Sequence, residues 1–112
     1  MPVVMQMDWV GVTVDQYEQA RAQVQWETDV PPGAIYHAAS FDDAGAHIVD
    51  IWETAEDFQR FSDTRLGPAV AEIGIAGEPQ VQIRPAHAIF APGYTVSLPT
   101  QSTQKAQPAT TA

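Results

Sequence analysis

The chain has 112 residues, 14 Asp and Glu against 5 Lys and Arg for a formal charge of −9, 45% hydrophobic residues and no cysteine. One domain is expected, since domains run to roughly 100–200 residues, and the missing thiol removes disulfides, thiolate nucleophiles, iron–sulfur clusters and Cys-ligated zinc. The acidic balance offers no basic patch to phosphates, the apolar runs fall short of the ~20 residues of a membrane span, and no basic segment precedes an apolar stretch at the N-terminus; a soluble, cytoplasmic protein that binds neither nucleic acid nor membrane is expected.

Val3 to Val10 is rich in Val, Met and Trp and closed by Gly11, which predicts a strand. Thr13 with Gln16 is a capping-box pattern, Asp15 and Glu18 suit the positive end of a helix, and Val14, Tyr17, Ala20 and Val24 recur at helical spacing. That helix must stop before Pro31-Pro32-Gly33. Ala34 to Phe41 and Ala46 to Glu53 are β-rich runs joined by Asp42-Asp43-Ala44-Gly45, a hairpin connection in length and composition. Thr54 reads as a second N-cap, followed by the stripe Phe58, Phe61 and Leu66; Gly67-Pro68 is expected to interrupt this helix before a short continuation that ends at Gly74. Val81 to Phe90 predicts a last strand, in which Pro85 signals an edge or a bulge.

The composition shifts near Ala91-Pro92-Gly93. Residues 91–112 carry three Pro, five Thr, three Gln and one charge, Lys105, and read as a tail outside a domain of residues 1–90. Within the tail, 94–98 alternates with period two, so two readings stand: a disordered tail, or a short strand recruited by an exposed edge on a second subunit.

The order β-α-β-β-α-β predicts an α+β, ferredoxin-like fold: a four-stranded antiparallel sheet with both helices on one face. The third strand is apolar on both faces, Val49 and Ile51 pointing one way and Ile48 and Trp52 the other. An uncovered apolar sheet face needs a partner, and a second copy of the chain is the expected one.

The segments Ile48-Val49-Asp50-Ile51-Trp52-Glu53-Thr54-Ala55-Glu56-Asp57-Phe58, Leu66-Gly67-Pro68-Ala69 and Pro85-Ala86-His87 resemble the dimeric α/β-barrel superfamily in its antibiotic-biosynthesis-monooxygenase-like branch, over residues 3–90. The resemblance implies that two sheets from two subunits close into a barrel, with a pocket between sheet and helices or inside the barrel. It also implies a range of activities: cofactor-free oxygenases acting on aromatic polyketides, haem-degrading enzymes and isomerases. Haem-degrading relatives place an Asn, a Trp and a haem-ligating His where this chain has Met7, Phe61 and the His-free stretch 69–75, which disfavours haem cleavage. The Asn and Trp by which oxygenases of the branch hold a phenol have no full counterpart, since the chain contains no Asn.

The hairpin spacing pairs Phe41 with Ala46, Ala39 with Ile48, His37 with Asp50 and Ile35 with Trp52. His37 and Asp50 are thereby expected on the face away from the helices, as a general base and the carboxylate that orients it, with Trp52, Ile35 and Tyr17 as substrate-binding walls. A purely structural His–Asp pair remains the alternative. His87 is expected at the pocket or at the subunit interface, His47 as a solvated strand end, and Arg65 and Arg84 as ordinary ion-pair partners or as anchors for an acidic ligand group. No metal-ligand spacing and no phosphate loop is present, so neither metal nor cofactor is expected. Two functions are open: a homodimeric, cofactor-independent monooxygenase or proton-transfer enzyme (isomerase or cyclase) acting on an apolar, aromatic or polyketide-like molecule, or a non-catalytic ligand-binding or accessory protein of the same fold. Of the carboxylates, Asp50 is the one expected to point into an apolar face.

Overall fold

In the computed structural model, which describes residues 1–94, the sheet runs β2-β3-β1-β4, with β1 Val3–Val10, β2 Ala34–Asp42, β3 Gly45–Trp52 and β4 Gln80–Pro85. All three pairings are antiparallel. The helices are α1 Val14–Val24, α2 Ala55–Phe61 and α3 Gly67–Ile73, the last two joined by a π-helical turn, Ser62–Leu66. This is the ferredoxin-like order that the sequence predicts. The expected strand at 94–98 lies, from residue 95 onward, outside the described residues; Pro92–Tyr94 form a short 3-10 turn.

α1 starts where its capping box places it: the Thr13 side chain accepts from Gln16 N and the Gln16 side chain accepts from Thr13 N, each at 3.1 Å. It ends earlier than the proline run requires, because Gln25 turns left-handed at φ 59° and returns its N–H to Arg21 O. α2 begins at Thr54, whose hydroxyl accepts from Asp57 N at 3.0 Å. At Gly67-Pro68 the helical path continues where an interruption was expected. Pro68 has no N–H and its ring crowds the carbonyl four residues back, so the preceding turn widens until Gly67 N–H bonds to Ser62 O, five residues back. Only glycine suits that position, since a Cβ on Gly67 would stand 2.8 Å from Ser62 O. Arg65, inside the widened turn, donates through Nη2 to the carbonyls of Val24 at 2.9 Å and Asp29 at 2.8 Å, closing the open end of α1. Its ion pair with the Asp29 carboxylate is longer, 3.6 Å, so the backbone is its main partner.

The core consists of Met5 and Met7 from β1, Trp52 from β3, Val24 from α1, Phe58 and Phe61 from α2, and Ala69 from α3. The helices therefore cover the face that carries Met5, Met7, Ala46, Ile48, Asp50 and Trp52. His37 and Asp50 face the helices, a correction to the face expected for them. The third strand alone is ambiguous, because it is apolar on both sides. β1 decides the matter: Met5, Met7 and Trp9 alternate with Gln6 and Asp8, and burying the apolar set gains far more than burying the polar one. Trp52, expected to be wet without a partner, is only 3% exposed.

The hairpin register is as predicted from Phe41↔Ala46 to His37↔Asp50. Beyond it a β-bulge intervenes, and Ala34 rather than Ile35 stands opposite Trp52. β4 is an edge strand, as Pro85 suggested, but it stops at Pro85; Ala86 N makes one further bond, to Pro2 O at 2.9 Å. The outer face, free of helices, presents Val4, Tyr36, Ala38, Val49 and Ile51 at its centre.

Candidate functional site

Between the sheet and the helices lies a cavity of about 230 Å³, walled on its apolar sides by Met5, Met7, Trp52, Phe58, Phe61 and Leu66. Glu27, Val30, Ile35 and His37 line it and remain exposed, so it opens beside the loop between α1 and β2. The widened helical turn matters here, because it brings both Phe61 and Leu66, five residues apart, onto the cavity wall.

One polar chain crosses this apolar surface. Asp50 is the buried charged residue of the core among the described residues, at 6% exposure. Its Oδ1 receives His37 Nδ1 at 2.7 Å and its Oδ2 receives Trp52 Nε1 at 3.1 Å. With the indole able only to donate and a carboxylate only to accept, both oxygens are satisfied. In the neutral imidazole the proton sits on Nδ1, facing Asp50, so Nε2 carries the lone pair and accepts the Tyr17 hydroxyl at 2.7 Å. The order Trp52, Asp50, His37, Tyr17 thus runs from the buried end to the open side.

Tyr17 reaches His37 because it stands on the cavity side of α1, one turn before buried Ala20. Its ring lies parallel to the imidazole with centroids 6.0 Å apart, and Trp26 closes on both rings, at 5.7 Å from Tyr17 and 5.4 Å from His37. Burial pushes the Tyr17 pKa up and outweighs the nearby Arg21 charge, which pulls it down. Tyr17 is therefore a phenol that donates to His37, not a phenolate. Next to them, Glu27 is gripped by Arg21 through Nε–Oε1 and Nη2–Oε2, both 2.8 Å, and this bond holds the Glu27 carboxyl below its usual range.

The structure brings together His37, Asp50, Trp52 and Ile35 from the sheet and Tyr17 from α1, all lining the cavity. It does not bring His87 there: the residue sits on an exposed bend past the end of β4 and is not among the cavity-lining residues. His47 is more than a solvated strand end, with Nδ1 2.6 Å from Asp8 Oδ1 and Nε2 2.9 Å from Asp42 Oδ1. The first contact has the geometry of a hydrogen bond, whereas the second, though short, does not. Together the two carboxylates raise the His47 pKa, with Asp8 the larger influence. Arg84 bonds to Gln6 and Gln82 on the outer face, away from the cavity. Trp26 and Glu27, both lining residues, come after the end of α1 in a loop where no periodicity marks them. No group of three or more His, Cys, Asp or Glu among the described residues is arranged to hold a metal ion, and no helix among them is long and apolar enough to cross a membrane.

No protein-family model matches the chain, and neither does any curated protein sequence. Solved structures do. SnoaB, a cofactor-independent oxygenase from Streptomyces nogalater, is similar with a TM-score of 0.54 at 14% identity, over 79% of this chain and 93% of that one. A dimeric ferredoxin-like protein of unknown function from Thermobifida fusca gives 0.56 at 16% identity, over 77% and 92%. The chain has a ferredoxin-like fold. A candidate antibiotic biosynthesis monooxygenase from Nitrosomonas europaea, at 0.53 and 12% identity over 77% and 89%, shares it as well. At these identities the likeness is one of fold, and chemistry has to be argued from the cavity.

Proposed function

We propose that this protein binds a small aromatic or polyketide-like molecule in the cavity and removes a proton from it through Tyr17, His37 and Asp50. The observation that carries this reading is the pair of 2.7 Å contacts joining the three side chains on the wall of an apolar cavity. A substrate O–H or acidic C–H gives its proton to Tyr17 Oη while the Tyr17 proton passes to His37 Nε2. The imidazolium that forms stays paired with Asp50. Because burial disfavours a free phenolate, the two transfers occur together. Proton removal is the common first step of isomerisation, of cyclisation and of attack by an electron-rich substrate on dioxygen, the last being the reaction class of SnoaB, whose fold is similar.

The assembly is proposed as a homodimer closed through the outer face, where Val4, Tyr36, Ala38, Val49 and Ile51 lie together with Gln6 and Arg84 beside them. Pairing two such faces buries on the order of 1,000 Å² or more, the scale of a stable interface.

The second reading, a non-catalytic binding protein, is favoured by one observation: the three relay groups already satisfy one another, as in a structural network. The two separate in one experiment. The molecule retained by the native protein is identified by mass spectrometry after incubation in D₂O, with the wild type and with His37→Gln. Deuterium bound to carbon in the ligand on the wild type alone supports proton transfer, since a hydroxyl proton exchanges with D₂O unaided. Retention of the ligand without exchange on either protein refutes it.

A further inference from the structure

We infer that the cavity is selective for uncharged ligands and that Glu27, held in place by Arg21, is the residue that turns anions away. The inference rests on the reading of the cavity as a small-molecule site and narrows the class it takes. Two residues with carboxylate side chains, Glu27 and Asp50, line the cavity, and no Lys or Arg does so among the described residues. A cation beside the opening is spent: Arg21 donates to both oxygens of Glu27 and also to Glu18, at 3.3 and 3.4 Å. The same bond keeps Glu27 ionised and fixes it on the exposed rim. An entering carboxylate or phosphate meets the Glu18–Arg21–Glu27 cluster, with one negative charge in excess, at the opening and the Asp50 carboxylate at depth, and no Lys or Arg among the described residues lines the cavity to pair with it. A phenol, enol or ketone meets neither penalty and finds Tyr17, His37 and three tryptophans, Trp9, Trp26 and Trp52. Aromatic ligands that carry their acidity as a hydroxyl therefore fit, whereas aromatic acids of the same shape do not.

The test compares 2-naphthol with 2-naphthoate at pH 7 by quenching of tryptophan fluorescence. On the wild type, naphthol is expected to bind at least about tenfold more tightly, the effect of one like charge at short range in a partly solvated site. In Glu27→Gln the ratio falls several-fold, chiefly through tighter naphthoate binding. A salt titration on the wild type provides a second measurement that needs no variant. The Glu27 side chain is 57% exposed, so its share of the discrimination weakens as ionic strength rises, while that of buried Asp50 persists. Equal affinities on the wild type overturn the inference. So does a ratio that neither Glu27→Gln nor salt alters. If neither probe binds, the small-molecule reading fails and takes the selectivity with it.

Discussion

Replacing Asp50 by Asn changes one atom's chemistry at a buried junction, and the neighbouring donors dictate how the bonds rearrange. Trp52 Nε1 can only donate, so the Asn oxygen must take that bond. The amide NH₂ is left facing His37 Nδ1, which must then offer a lone pair. The imidazole proton moves to Nε2, and the bond to Tyr17 reverses, with His37 donating and the phenol accepting. Two charge-assisted bonds of about 1.5–3 kcal/mol each give way to neutral ones of about 0.5–1.5. That exchange costs about 2–3 kcal/mol, and removal of a buried charge returns about 1–2 of it. A net loss of about 1 kcal/mol corresponds to a fall in Tm of about 4–8 °C for a domain of this size. Function is hit much harder. With a proton on Nε2 the histidine is no longer a base, and a loss on the order of 10²–10⁴ in proton-transfer rate is expected. The tautomer is read directly from ¹⁵N shifts of the imidazole nitrogens, which requires no substrate: Nε2 is the unprotonated nitrogen in the wild type and Nδ1 in Asp50→Asn. The same tautomer in both proteins would refute the relay as drawn.

Other expectations rest on the same structure. The His47 pKa is raised by Asp8 and Asp42, so the stability it contributes is fully present below its ordinary value of 6.5 and is lost as pH rises through the higher folded value. Thermal melts between pH 5 and 9 (about two units either side of neutrality) should show a decline on the alkaline side that His47→Gln abolishes. Gly67→Ala, normally a gain in a helix, should instead lower stability by about 1–3 kcal/mol, because its Cβ meets Ser62 O at 2.8 Å; urea unfolding measures this. Phe58→Ala, at 5% exposure and edge-on to Trp52 at 5.7 Å, should cost about 3 kcal/mol, the low end for such a truncation because one side already faces the cavity. Val49→Asp on the outer face, 39% exposed in the single chain, should convert a dimer to monomer in sedimentation while leaving the fold intact by circular dichroism.

Much of this molecule was legible from residue patterns, because local chemistry controls those parts. Thr13 and Gln16 start α1, Thr54 starts α2, and the loop of the β2–β3 hairpin sets the register that joins His37 to Asp50. Other features depend on competition between distant parts. The face of the His37–Asp50 pair is chosen by the methionines of β1, two strands from His37, and not by β3 itself. The bulge at Ile35 interrupts a pairing that spacing alone would continue. Tyr17, Trp26 and Glu27 converge only because Gln25 ends α1 with a left-handed residue, and nothing around Gln25 announces it. Val81 to Phe90 reads as one long strand, whereas pairing with β1 runs out at Pro85, which leaves His87 off the cavity and only the subunit interface of its two expected places open to it.

The widened turn at Ser62–Leu66 carries a consequence for comparing this chain with others. An α-helix advances about 100° per residue, so Phe61 and Leu66 would lie about 140° apart on a regular helix and could not share a wall. The extra residue in the turn absorbs that phase difference. A protein with the same fold and an uninterrupted α-helix reaches its equivalent of Gly67–Ile73 one residue sooner. Alignment without a gap between Ser62 and Leu66 then matches each later position to a side chain on the wrong side of the helix. Val70, which lines the cavity, and Ala69, which packs in the core, would be paired with the wrong counterparts. Correspondence between such cavities is best drawn in space.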